Sequence, residues 1–318
     1  MLHIRPFCNF DPPAVAAIWQ RCAGQPGLTQ PVSVDLFERL VFGKLYFPES
    51  GFFLAFDGDQ PVGFAHAGFG PRRDRKWIST ETGIVCMLLV CPDSREPDTI
   101  ALDLLRRCEE FLAGRGACRL LGGCAPPDVP FYAGLYGGSM PPGILATDRF
   151  ALSAFAAAGY EGSDRTLIFR RGLMDFRPLI DRRTMQIRRT MHFNTIVDPP
   201  PRDWWEAATI GEFDLTRFEL APPEAERPAA SLTVRDMGPP APDLPGPAAG
   251  ILDLFVDPAL RRQGLATFLL GEAFKQLMNQ GVGSVEAHLS ASDRASAALC
   301  NKLGLRQAAE AVRFRKDG

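Results

Sequence analysis

The order strand, turn, helix, strand, helix, strand can be read twice along these 318 residues. That repetition restricts the chain to two copies of one mixed unit of sheet and helix. In the first copy residues 2–5 read as a strand. Pro12 and Pro13 open a helix carrying Val15, Ile18 and Trp19, because proline is tolerated in a first helical turn. A second helix is expected over 34–45. Residues 52–56 and 62–67, joined by Asp57-Gly58-Asp59, read as a hairpin. The apolar run 83–90 is a buried strand. It leads into a helix with Ile100, Leu104, Cys108 and Leu112 on one face, ended by Gly114 and Gly116.

In the second copy residues 250–256 form an apolar strand, followed by a turn and a helix. Ala266, Leu269, Leu270, Ala273 and Leu277 share one face of that helix, and Gly281 caps it. Val285, Ala287 and Leu289 alternate with Glu286 and His288, the pattern of a strand with one half-exposed face. A short helix runs from Asp293 to Gly304, and 305–314 reads as a closing strand. The expected fold is α/β (α+β): two units, each a mixed, mostly antiparallel sheet flanked by helices. The first unit covers 1–175 and the second 180–318, with a junction between Gly172 and Met185. The second copy begins in a proline-laden stretch (Pro199, Pro200, Pro201) with no legible helix pair. Pro239, Pro240, Pro242, Pro245 and Pro247 mark a loop, since such prolines do not serve a central strand.

Composition excludes several classes. Hydrophobic residues make up 46%, enough for real cores, and a net charge of -2 argues against general nucleic-acid binding. The short basic runs at Arg182, Arg183, Arg188 and Arg189 read as solvated linker surface. Eight cysteines contain no CxxC pair, and His3, His66, His192 and His288 are isolated, so no metal site is expected and the cysteines read as reduced core residues. The first residues lack the basic and apolar regions of a signal peptide, and no stretch is long enough to span a bilayer. The expected location is the cytoplasm, with neither membrane nor nucleic acid as partner.

The segment Val256-Asp257-Pro258-Ala259-Leu260-Arg261-Arg262-Gln263-Gly264-Leu265-Ala266 carries the chemistry. It joins a buried strand to a helix start, where unpaired N–H groups and the helix dipole attract an anion such as a pyrophosphate. Gly264 permits close backbone approach, and Arg261 and Arg262 add charged donors. The segment resembles the R/Q-x-x-G-x-G/A signature of the GNAT superfamily of acyl-CoA-dependent N-acyltransferases. Asn301-Lys302-Leu303-Gly304-Leu305 resembles that family's next helix end. The tandem layout is similar in arrangement to mycothiol synthase and its relatives. The resemblance implies that Leu254, Phe255 and Val256 meet the pantetheine arm of acetyl-CoA, and that Arg261, Arg262, Gln263, Gly264, Leu265, Ala266 and Thr267 meet its phosphates. It further implies acetyl transfer to a small-molecule or peptide amine by direct attack in a ternary complex. The alternative is a non-catalytic acyl-CoA-binding or sensing protein.

The first copy departs from this pattern. Arg95 aligns with Arg261, but Asp98 falls on Gly264, and Glu96, Pro97 and Asp98 bring negative charge and a missing N–H to the turn. Its helix start is not expected to bind CoA. The offset between copies is 166 residues at the turn and 145 at the later helix, so the first copy holds 21 additional residues, mostly within 124–143. Tyr132 and Tyr136 of this insert are expected to wall the acceptor cleft of the second copy.

Transfer to an amine needs a base, a polarised carbonyl and a proton for the departing thiolate. His288, Glu286 and Asp253 are the candidate bases. The resemblance places Cys300 where the family commonly has the tyrosine that protonates the thiolate, and the second half contains no tyrosine. Asp293 stands where the family often has asparagine.

Overall fold

The computed structural model describes residues 1–225, 227–238 and 246–317. Pro239, Pro240, Pro242 and Pro245 lie outside the described residues. The first repeat contains β1 (Leu2–Pro6), α1 (Pro12–Arg21), α2 (Val34–Phe37), β2 (Phe52–Asp57), β3 (Gln60–Pro71) and β4 (Ile78–Val90). It continues through α3 (Pro97–Gly114), β5 (Arg119–Gly122), β6 (Ile144–Leu145), α4 (Arg149–Ala157) and β7 (Glu161–Gly172). Helix α5 (Arg182–Thr190) joins it to the second repeat, which opens with β8 (His192–Val197), α6 (Trp204–Ile210), β9 (Leu215–Ala221) and β10 (Ala230–Asp236). There follow β11 (Ala248–Val256), α7 (Leu265–Asn279), β12 (Ser284–Ser290), α8 (Arg294–Lys302) and β13 (Arg306–Asp317).

The helices follow from their sequences. On α3, Ile100, Leu104, Cys108 and Leu112 are all buried, and the following Gly116 takes a φ of 91°. Helix α2 widens into a π turn over Glu38–Phe42 and stops at Gly43, short of the expected residue 45. On α7 the buried stripe is Leu265, Phe268, Leu269, Leu270, Ala273, Phe274 and Leu277. Ala266 is only half-buried, outside the stripe where the periodicity put it. The basic run at 182–189 is a helix within the connection, and Arg182, Arg183, Arg188 and Arg189 lie exposed on it as expected. Asp181 and Thr184 cap α5 reciprocally, Ile187 is buried, and Arg188 pairs with Glu272 of α7.

The strands form one continuous sheet in the order β1-β2-β3-β4-β5-β13-β7-β12-β11-β10-β9-β8, with β6 pairing beside β13. Its centre is an exchange. The last strand of the second repeat, β13, pairs with β5 of the first (Phe314↔Gly122), while β7 of the first pairs with β12 of the second (Val285↔Arg171). Strands β13 and β7 then pair with each other from Arg306↔Arg170 to Arg315↔Glu161. The two repeats therefore share their central strands.

The second repeat has one helix, α6, where the first has α1 and α2. Asp203 caps it by accepting from Glu206 N at 2.8 Å. The insert of the first repeat packs here: Ala133 clusters with Ile210 and Leu215, and Met140, Phe213 and Leu252 pack around them. Gly134 is needed for this contact, because a Cβ there would stand 2.8 Å from the Phe213 ring. The insert thus covers sheet surface that would otherwise face water. For that reason Glu286 and the His288 side chain are buried along with Val285 and Ala287, rather than lying on a half-exposed face.

Candidate functional site

Strands β11 and β12 run parallel and pair from Ala248↔Ser284 to Ile251↔Ala287. At Leu252 the register of β11 against β10 slips by one residue, a β-bulge. Beyond it β11 follows β10, while β12 stays with β7 through His288↔Ile168 and Ser290↔Thr166. The two strands part. Asp257 N donates to Ala229 O on the β10 side. By strand alternation Leu254 and Val256 therefore turn their backbone groups into the gap. Phe255 faces the other way and is 43% exposed, outside the cleft.

The gap opens into a cleft of about 660 Å³ between the strand ends, the turn, α7 and α8. Leu254, Val256, Arg261, Arg262, Gly264, Leu265, Ala266 and Thr267 line it, and exposed Gln263 does not. Asp257 accepts from Ala259 N and begins a short 3₁₀ turn over Pro258–Leu260. Arg262 and Gly264 then take φ of 65° and 92°, and α7 starts at Leu265. The positive φ at Gly264 is the conformation glycine adopts most readily, and it leaves the first N–H groups of α7 free. Arg261 Nε donates to Val256 O at 3.2 Å. Arg183 and Lys302 also line the cleft, giving four cations against the Asp293 carboxylate. Sequence reasoning missed both, because Arg183 read as linker and Lys302 as a helix end.

A buried network sits where the strands part. Glu286 Oε2 accepts from Arg170 Nε at 2.7 Å, and its Oε1 accepts from Ser139 N at 2.6 Å and meets His288 Nε2 at 2.9 Å. Burial pushes the Glu286 pKa up, but the bond and charge of His288, the Ser139 N–H and Arg170 outweigh it and bring it to about 2. Glu286 is thus an ionised anchor, not a base. With Nε2–H given to Glu286, His288 Nδ1 is buried with no partner behind the cleft, and neither His288 nor Tyr136 is among the residues that line it. Tyr136 stands edge-on to His288 at 6.1 Å.

The insert is clamped at this point. Arg235, 2% exposed, donates to Gly138 O and Ser139 O at 2.6 Å each. Burial lowers its pKa to about 10, still protonated at neutral pH. Gly138 and Gly250 permit the approach: a Cβ at Gly250 would stand 2.6 Å from Ser139 Cβ, and one at Gly138 2.5 Å from Glu286 Oε1. Tyr136 lies at this seam. Tyr132 does not: it is 1% exposed in the first repeat's core, bonded to His66 at 3.0 Å and parallel to Trp19, which removes it from any acceptor wall.

The first repeat has the same parting of strands. β4 and β5 pair from Thr82↔Arg119 to Val85↔Gly122, and β4 bulges at Cys86, 166 residues before Leu252. There the gap is filled. What remains there is a cavity of about 80 Å³, with Tyr136, Pro141, Pro142 and Leu145 among the residues that line it. Its turn has Glu96 at φ 53° and Pro97 as the first residue of α3.

Two further candidates stand elsewhere. Cys300 is 7% exposed in the core under α8 and does not line the cleft; burial pushes its thiol up to about 11. It packs, and the proton-donor reading does not suit that position. Asp253 is held by Arg202 at 2.7 Å. Among the described residues no three His, Cys, Asp or Glu side chains gather as a metal site, and no helix is long and apolar enough to cross a membrane.

Residues 185–305 match the model of the acetyltransferase (GNAT) family. No curated protein matches the sequence. Among solved structures, a tandem GNAT protein from the clavulanic acid biosynthesis pathway, solved without AcCoA, superposes with a TM-score of 0.70 at 16% identity, covering 100% of this chain and 98% of that one. A GCN5-related N-acetyltransferase from Sphaerobacter thermophilus gives 0.60 at 17% identity, over 99% and 95%. The glucosamine N-acetyltransferase region of a fungal multi-domain GH3 beta-N-acetylglucosaminidase gives 0.70 at 16%, over 99% of this chain and 38% of that one. These likenesses establish the tandem layout and give no support to a specific relation with mycothiol synthase. The chain has the mixed α+β fold of tandem GNAT proteins, and the acetyltransferase (GNAT) family pattern lies in its second repeat.

Proposed function

We propose that the chain is an N-acetyltransferase that holds acetyl-CoA in the second repeat's cleft and transfers its acetyl group to an amine. The parting of β11 from β12 at Leu252 carries this reading. It leaves strand backbone open to a pantetheine arm, and the gap leads to a glycine turn at a helix start that carries Arg261 and Arg262. A cleft of about 660 Å³ lies within the size range of cofactor sites. Acetyl-CoA supplies the activated acyl group. Backbone groups of Leu254 and Val256 orient the arm, and the N–H groups from Arg262 to Thr267 receive the pyrophosphate.

His288 is the proposed base. Glu286 holds its Nε2, which leaves Nδ1 to take one proton from the acceptor's ammonium before the amine attacks. The neutral amine nitrogen then bonds to the thioester carbon, the C–S bond breaks with the electron pair leaving on sulfur, and the second proton lost by the nitrogen passes through solvent to the thiolate. The proposed acceptor is a small-molecule or peptide amine entering beside Tyr136.

Acyl-CoA binding without turnover is the second reading, favoured by the burial of Cys300. Thiol release from acetyl-CoA, measured against a panel of amines, separates the two. Amine-dependent release that falls in His288→Gln supports transfer. Tight acetyl-CoA binding with no release for any amine supports the second reading.

A further inference from the structure

The phosphate end of the cleft holds more positive charge than a pyrophosphate turn uses. Arg261 is tied to Val256 O, and Arg262 lies in the turn itself with φ at 65°. Both belong to the loop that wraps the helix start. Arg183 and Lys302 come from other elements, α5 and the end of α8, and stand on the same cleft. Neither forms an ion pair among the described residues.

Their placement is specific. The position of a Cβ on Gly264 is 4.0 Å from Arg183 Cβ and 3.7 Å from Ile187 Cδ1, so α5 runs directly beside the turn. The Asp181–Thr184 capping box fixes the first turn of α5, and buried Ile187 anchors the next. Lys302 approaches the same end of α5. Asp181 is held below the usual carboxylate range by the Thr184 N–H and hydroxyl, and Lys302 adds to this. The helix that joins the repeats therefore closes one side of the mouth and the end of α8 the other. Arg183 also lies before residue 185, where the match to the family model begins, so the contact comes from outside the segment that the model describes.

Coenzyme A carries a second anionic group one ribose away from its pyrophosphate, the 3′-phosphate, close to doubly charged at neutral pH. We infer that Arg183 and Lys302 together bind the 3′-phosphate of coenzyme A, so that the site selects this cosubstrate over its 3′-dephospho form. The inference rests on the proposed acetyl-CoA site. Two solvent-exposed cations on a dianion give selectivity of about tenfold, because each contact is charge-assisted but screened.

Calorimetric titration of the full chain with coenzyme A and with 3′-dephospho-coenzyme A tests it. The expected result is about tenfold tighter binding of coenzyme A, narrowing as salt rises. In an Arg183→Met, Lys302→Met double variant the difference should fall below about twofold while affinity for the dephospho form is kept. Arg183→Lys should retain part of the selectivity, and Arg183→Glu should lose it without loss of fold. Equal wild-type affinity for the two ligands, or a double variant that weakens both alike, overturns the inference and leaves the acetyl-CoA site standing. Failure of both ligands to bind overturns that site, and this inference with it.

Discussion

Glu286→Gln removes one charge from the buried seam between the repeats and keeps the shape. The carboxylate accepts from Arg170, Ser139 N and His288, and it titrates at about 2 instead of 4.5. That difference corresponds to roughly 3 kcal/mol at neutral pH. The folded pKa is depressed, so the contribution is complete above about pH 4.5 and is lost as pH falls toward 2. Urea unfolding of wild type and Glu286→Gln should differ by roughly 3 kcal/mol at pH 7 and by between about 1 and 2 kcal/mol at pH 3. The variant amide also points an N–H at either Arg170 or Ser139 N, which adds a part independent of pH. A gap that stays constant from pH 7 to pH 3, or one below about 1 kcal/mol at pH 7, would refute the reading of Glu286 as an ionised anchor.

Other expectations follow from the same seam. Gly250→Ala forces a methyl to within 2.6 Å of Ser139 Cβ; it should cost about 1–3 kcal/mol and lower turnover, and wild-type stability would contradict the clamp. His288→Gln should reduce the rate of thiol release at least about tenfold and leave acetyl-CoA affinity nearly intact, whereas Cys300→Ala should leave the rate alone. Tyr136→Ala should raise the KM for an accepted amine several-fold with unchanged acetyl-CoA affinity; an unchanged KM would remove Tyr136 from the acceptor side.

The elements that read well from sequence are those whose own residues fix them. The α3 stripe, the α7 helix with Gly281 behind it, and the turn at Gly264 all depend on local periodicity and backbone freedom. What could not be read depends on partners far away in the chain. Nothing in β7 or β13 announces that each pairs with the other repeat, because alternation specifies a face and not a neighbour. The bulge at Leu252 lies in an apolar strand with neither glycine nor proline at that position. Helix α5 has few apolar residues, and its anchoring through Ile187 is visible only once α7 is in place. The insert read as a loop with two equivalent tyrosines. Packing separates them, burying Tyr132 beside His66 and leaving Tyr136 against His288.

The central claim is one acetyl-CoA site, in the second repeat. Titration of the whole chain with acetyl-CoA, alongside a Gly264→Asp variant, tests it most directly. Asp at φ 92° costs about 1–2 kcal/mol of stability and places a negative charge at the pyrophosphate position. One equivalent should bind to wild type and none to the variant, with circular dichroism unchanged. Binding of two equivalents, or undiminished affinity in Gly264→Asp, would contradict the account.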